Sequence, residues 1–447
     1  MNLINLLFEK GKEYNIEEME VYINKNSSVD FNIYEGELEK YIVAEETGLS
    51  LRGIYNGKMG YSYTEKLWEE NLDELIKNLI QYAENNHSET VEKIASLAGE
   101  KSEFIPRKNL LNKYTEEEKI NYLLDLEKRA YAVDKRVKTI SGCSYSESTN
   151  SVYIRNTKGL ELESSHAIGM MNLGAVAEEG KNMQTGYSHI VFNDLKEEYK
   201  DILIKDSVGD ALSMLGSDQA ESSNYNIILR NNVAADMFSN FLPIFFGNTV
   251  QKGLSLMKGK IDTEVAVESF SIVEDPLMDN GKYYRTFDDE GTLTSEKYII
   301  ENGVLKTFLY SNKTAEKDEV SSTGNGFRNS HKSSIDTMST NMYIKEGNKT
   351  LEDMVKEMEN GIIITDIDGL HAGINPTSGN FSLLSKGLLV EDGEITRPIS
   401  QITMAGNLYE MLKNIKIIGN DTKFSHPSSN YFGSPSIYVG KLTIAGK

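Results

Sequence analysis

Asp366, Asp368 and His371 stand close together in TDIDGLH, two carboxylates and an imidazole at the end of the apolar run Ile362 to Ile364. Oxygen and nitrogen donors in that order could hold a divalent metal or serve a hydrolase. The same residues also suit a plainer role, since aspartates commonly end strands and cap turns. An EF-hand is excluded, because D-x-D-G here lacks the remaining ligand positions and the distal glutamate. Just beyond lies a dense series of polar and glycine positions at irregular intervals, which no amphipathic element requires. His371, Asn375, Ser378, Gly379 and Ser382 in this series are candidates for lining a substrate site or an interface. Asn325, in the STGNG segment, joins them as part of a loop expected to be mobile and to order over a partner or substrate.

Other chemistries lack their parts. A zinc peptidase of the common kind places two imidazoles on one helical face as H-E-x-x-H, with the glutamate activating water. The histidines, His87, His166, His189, His331, His371 and His426, never fall within five residues of one another. The single cysteine, Cys143, allows no intramolecular disulfide and no CxxC pair, and reads as a small buried residue. There is no G-x-S-x-G elbow, and Ser322 to Gly326 lacks the Gly-Lys-Ser/Thr of a phosphate-binding loop. Asp288-Asp289-Glu290 reads as a solvated acidic turn.

These residues need elements to carry them. Residues 1–90 are expected to form a small α+β unit: an opening helix, short strands at Met19 to Asn24, Asp30 to Tyr34, Tyr41 to Glu45 and Leu49 to Ile54, then a helix from Leu67 to Ala83 with Trp68 on its core-facing stripe. Residues 91–113 are a polar linker. Residues 114–220 form a central α+β unit opened by a Thr115/Glu118 capping box and closed by a helix from Leu195 to Leu215. Residues 221–447 form a mainly antiparallel β domain, with hairpins at Asn302-Gly303 and Asp392-Gly393 and a helix capped by Thr350 and Asp353. The fold class is therefore α+β and multi-domain.

Bulk properties narrow the function. A chain of 447 residues with a net charge of −21 would repel a nucleic-acid backbone over most of its surface, so no nucleic-acid partner is expected. No apolar run approaches the ~20 residues of a membrane span, and the start carries no pattern of an export signal. A soluble cytoplasmic protein with no membrane partner is the expectation.

The tract GLHAGINPTSGNFSLLSKGLLVEDGEITRPISQITMAG, with NIILRNNVAADMFSNFLPIFFGNTVQKGLSLMKGK, DPLMDNGKYYRTFDDEG and STGNGFR before it, resembles the C-terminal domain of the TldD/PmbA family, and within it the PmbA or TldE branch. The metal-bearing branch carries H-E-x-x-x-H on a helix early in this domain and a cysteine ligand in a late loop. The corresponding segments, Asn231 to Phe245 and Pro427 to Ser434, hold neither histidine nor cysteine. The resemblance therefore implies a zinc-free subunit of a metallopeptidase, with no cofactor of its own. A TldD-like partner would supply zinc, and an extended peptide would be held by strand addition. Two other readings stay open: a non-enzymatic homodimer acting on gyrase or toxin–antitoxin machinery, and an unconventional hydrolase using Asp366, Asp368 and His371.

Overall fold

Met19, Val21 and Phe31 lie on one face of a strand, while Glu20, Tyr22, Asn24 and Asn26 between them lie on the other, as the period of two requires. This alternation organises the N-terminal half. The computed structural model describes residues 2–87, 93–96, 109–428 and 430–447. After helix α1 (Asn2–Glu13) come β1 (Glu18–Tyr34), β2 (Glu37–Tyr55) and β3 (Lys58–Thr64), then α2 (Leu72–Asn85) and α3 (Glu116–Ala132). There follow β4 (Val137–Asn156), β5 (Glu161–Glu179), β6 (Asn182–Phe192) and α4 (Glu198–Ser213). The strands form one antiparallel sheet in the order β3-β2-β1-β4-β5-β6. Strands from the 1–90 and 114–220 segments thus share a sheet through the β1/β4 pairing.

The four central strands are long, at 17 to 20 residues. The short strands expected at Met19 to Asn24 and Asp30 to Tyr34 are one strand, and so are those at Tyr41 to Glu45 and Leu49 to Ile54. The polar stretch Lys25 to Ser28 that suggested a break stays in register with both β2 and β4. Glu35 and Gly36, at φ 51° and 80°, make the tight turn joining β1 to β2. β3 pairs only with Leu49 to Tyr55, so residues 37–48 of β2 have no outer neighbour among the described residues. Leu38, Tyr41, Ile42 and Val43 are exposed along this edge.

All the helices of this half cover one face of the sheet. Leu75, Ile76 and Leu79 of α2 pack on Met19, Val21 and Leu51, and burying each such side chain contributes ~1.5–3 kcal/mol. Leu123 and Leu126 of α3, with Leu203 of α4, cover Phe31, Cys143 and Leu173. The Thr115/Glu118 capping box forms as expected. Trp68 precedes α2 and is 58% exposed, so its place on the apolar stripe is corrected: the helix starts at Leu72. Of the expected linker, residues 91–92 and 97–108 lie outside those described, whereas Ile94 and Leu111 are buried.

The opposite face of the sheet meets the C-terminal region. There β7 (Ser223–Leu229) lies beside the Gly361–Asp368 strand in parallel, and the sheet runs on through Asn380–Glu391 and Glu394–Asn407. The last strand, Ile437–Ala445, pairs with both β7 and Glu394–Asn407, closing the sheet into a small barrel filled by Ile227, Ile364, Leu383 and Met404. A second sheet, containing Ile272–Glu274, Lys297–Glu301 and Asn341–Ile344, packs beside it; among the described residues all but two of the region's strand pairs are antiparallel, in keeping with the α+β class. Both expected Asn-Gly and Asp-Gly hairpins are present.

The junction between the two halves overturns the reading of Asp288-Asp289-Glu290 as solvated. All three are at most 4% exposed. Asp288 accepts from the backbone amides of Glu290, Thr292 and Gly326 at 3.0, 2.9 and 2.9 Å, while burial and the nearby Glu290 hold its carboxyl well above the usual range. Asp289 pairs with Arg285 and accepts from the Arg328 amide at 2.8 Å. Glu290 accepts from the Asn312 amide at 2.6 Å and faces Arg52, whose Nε donates to Glu20 at 2.6 Å. Backbone donors, near and distant in sequence, and two arginines meet the carboxylates.

Candidate functional site

Helix α5 (Asn231–Phe241) follows β7 and buries Val233, Ala234, Met237 and Phe238 in the barrel core. Its remaining face turns Asn232 and Asp236 toward β5, β6 and α4, across a cleft of about 220 Å³. The cleft is completed by His189 from β6, Asp366 and Lys386 from adjoining barrel strands, and Lys423 and His426 from the segment before the last two strands. Gly186 allows α4 to approach: a Cβ there would lie 2.0 Å from the Ser207 carbonyl oxygen. That packing brings Asp206 and Asp210 to the rim, where they pair with Lys423 at 2.8 Å and, in a bidentate fork, with Arg230 at 2.7 and 2.6 Å.

The cleft holds groups whose ionisation its surroundings alter. Burial, assisted by Lys423 and His426, lowers His189 to about 4, and its Nε2 stands 3.2 Å from the Phe424 carbonyl oxygen. Burial and then Lys282 lower His426, whose ring centroid is 5.3 Å from that of His189. Burial, opposed by the His426 backbone amide and assisted by Asp366, raises Asp236 to about 6. At neutral pH the cleft therefore presents two uncharged imidazoles beside an ionised carboxylate close to its titration point. Lys386 bridges Asp366 at 2.9 Å and the Thr185 carbonyl at 3.2 Å. The wall thus carries both hydrogen-bond donors and acceptors.

Of the residues singled out from sequence, Asp366 alone lines this cleft. Asp368 and His371 are exposed, and the three do not gather to metal-ligand distances. Asn375, Ser378 and Gly379 close a turn on themselves: the Asn375 side-chain oxygen accepts from the Ser378 amide at 3.1 Å, and Asn407 donates to the Ser378 carbonyl at 2.9 Å. Gly379 is required there, with φ +78° and Tyr409 2.4 Å from where a Cβ would sit. Ser382 is exposed on the strand that follows. The mobile-loop reading of Asn325 is corrected: the residue is fully buried, and its amide donates to both Glu274 oxygens, at 2.8 and 3.1 Å, and to the Met338 carbonyl.

Sequence reasoning missed His189, His426, Asp236 and Lys423, since each is ordinary in its own segment and only the docking of sheet on barrel unites them. The cleft's own donors are not gathered as zinc ligands would be. His189, His426 and Asp236 do not converge within 4.8 Å; among the described residues the one group that does is Glu46, Glu65 and His331, outside the cleft. Lys332 already engages Glu65 there, at 2.5 Å.

Known proteins share this architecture. Family profiles described as the PmbA/TldA metallopeptidase C-terminal domain, central domain and domain 1 match residues 222–446, 109–215 and 19–83. The metalloprotease PmbA homolog of Buchnera aphidicola is 28% identical over 73% of this chain and 71% of its own. A Thermotoga maritima protein whose description refers to modulation of a DNA gyrase is 30% identical, with a TM-score of 0.89 over 99% of both chains. TldE of Thermococcus kodakarensis, at 23% identity, shares the fold, with a TM-score of 0.90 over 99% of this chain and 100% of its own. No described helix is long and apolar enough to cross a membrane. With its three regions recognised in order and its fold shared over 99% of the chain with a 30% identical relative, the chain belongs to the TldD/PmbA family of metallopeptidase-like proteins.

Proposed function

We propose that this chain is the PmbA/TldE-type, zinc-free subunit of a cytoplasmic metallopeptidase assembly, in which a TldD-like partner supplies zinc and the water-activating glutamate. The observation that carries this reading is α5. On the helix where the metal-bearing branch keeps its histidines, this chain turns Asn232 and Asp236 toward the cleft. Residues 1–90 and 114–220 form one wall of the peptide chamber and residues 221–447 the other. His371, Asn375, Ser378, Gly379 and Ser382, on the rim of the barrel, are assigned to the contact with the partner.

Within the chamber this chain binds and orients. Lys386, Lys423 and Asn232 offer donors, while Asp236 and Asp366 offer acceptors, to the backbone of an extended small or unfolded peptide. The test is peptide hydrolysis and bound zinc in the purified chain, alone and mixed with a TldD-like protein. Cleavage only in the mixture, with zinc only in the partner, is expected; stoichiometric zinc or cleavage in the lone chain would sink the reading. Alanine at both His371 and Asn375 is expected to weaken partner binding.

A further inference from the structure

A second and larger cavity, of about 430 Å³, lies between the sheet and the C-terminal region. Its floor is built by register. Asn26, Asn150 and His166 are directly paired across β1, β4 and β5, and Ser148 pairs with Ile168 in the next inward row. Its roof comes from segments around Lys282, Arg285, Arg328 and Ser339. In a chain with 68 acidic against 47 basic residues, none of the residues lining this cavity is an aspartate or glutamate.

Its cations are incompletely matched. Arg328 is 7% exposed and donates through Nη1 to the Ser50 hydroxyl and the Ser333 carbonyl, at 3.0 and 3.2 Å. Its Nε and Nη2 have no hydrogen-bond partner, and among the described residues it makes no ion pair, its guanidinium lying over the Tyr22 and Tyr61 rings at 4.9 and 5.8 Å. The Arg285 Nε and the buried Ser339 hydroxyl are also unpartnered. Lys282 meets the Ser428 carbonyl and is lowered to about 8 by burial. A buried charge without a counter-charge is costly, and so are buried donors without acceptors. An anion entering the cavity would relieve both costs.

We propose that this cavity receives the C-terminal carboxylate of an extended peptide, with Arg328 and Lys282 supplying the positive charge, the Arg285 Nε a further donor, and the Asn24, Asn26 and Asn150 amides holding the last backbone groups. The proposal deepens the peptide-holding function above and rests on it. Lys282 links the two sites, since it contacts Ser428 in the same segment that brings His426 into the cleft. A peptide lying along the cleft would have its end within reach of a cationic stop, which favours free peptide ends over internal chain.

The test is fluorescence anisotropy of the intact chain with an N-terminally fluorescein-labelled ten-residue alanine–serine peptide, as free acid and as C-terminal amide. The free acid is expected to bind roughly tenfold tighter or better, the scale of one hydrogen-bonded charge. Lys282→Met, at a part-exposed position, is expected to erase most of that preference; Arg328→Met is expected to do the same, and circular dichroism will show whether it folds. Equal binding of acid and amide overturns the proposal, and so does an amidated peptide ending in glutamate that binds as well as the free acid. Inorganic phosphate as competitor is expected to displace the free acid; failure to do so would place the acid elsewhere. Cleavage by the mixed assembly without any carboxylate preference would defeat this site and leave the subunit reading standing. A carboxylate preference in a chain whose mixture cleaves nothing would do the reverse.

Discussion

Two regions of this molecule concentrate charge between the sheet and the C-terminal half, and they treat it in opposite ways. At the Glu20–Arg52–Glu290 junction every carboxylate is sealed from water and met by arginines or backbone amides. In the α5 cleft the charges are half open, the imidazoles are held neutral and Asp236 sits near its titration point. Charge that is buried and paired joins the halves. Charge that is partly buried and displaced from its ordinary ionisation is available to a ligand.

That contrast can be broken most directly at Arg52. Arg52→Met leaves Glu20 and Glu290 buried beside one another, and a loss of ~3–5 kcal/mol in denaturant unfolding is expected. A loss below ~1 kcal/mol would show that the junction is no more sealed than the cleft. Asn325→Ala should cost ~1–3 kcal/mol by stripping donors from Glu274, while peptide cleavage in the mixed assembly stays unchanged at temperatures where the variant remains folded.

The cleft should show itself in pH dependence. His189 is about 4 in the folded chain against 6.5 ordinarily, so the unfolded chain takes up a proton first. Its contribution is complete above pH 6.5 and is lost as pH falls through about 4, and thermal unfolding of His189→Gln should lack that loss. Asp236, raised from 3.8 to about 6, has the opposite sign. Its contribution is complete below pH 3.8 and lost as pH rises through about 6, so Asp236→Asn should be more stable than the parent above pH 6 and similar to it near pH 3. Identical pH profiles for parent and variants would remove the distinction between the regions. The smallest stability effect is expected from Lys386→Met, at most ~1 kcal/mol because the pair with Asp366 is part-exposed, accompanied by weaker peptide cleavage in the mixture.

Local features were legible in the sequence because their causes are local. The Thr115/Glu118 and Thr350/Asp353 boxes and the Asn302-Gly303 and Asp392-Gly393 turns each bond within a few residues, and all are present. The continuity of β1 was hidden because its polar middle faces a cavity instead of a core. The acidic knot at Asp288 misled for a related reason: its partners, the Gly326, Thr292 and Asn312 amides, leave no mark on side-chain sequence. Asp366 reached the cleft, but His189 and His426 meet only through the docking of distant elements.

Residues 37–48 of β2 have no strand on their outer side among the described residues. Their outward amides and carbonyls, left without a strand partner there and flanked by exposed Leu38, Ile42 and Val43, would accept the same strand of another molecule as a template. Glu37, Glu39, Glu45 and Glu46 lie along that segment and would confront their own copies in such a stack. Repulsion between these like charges would oppose such a stack, an opposition that added salt would weaken.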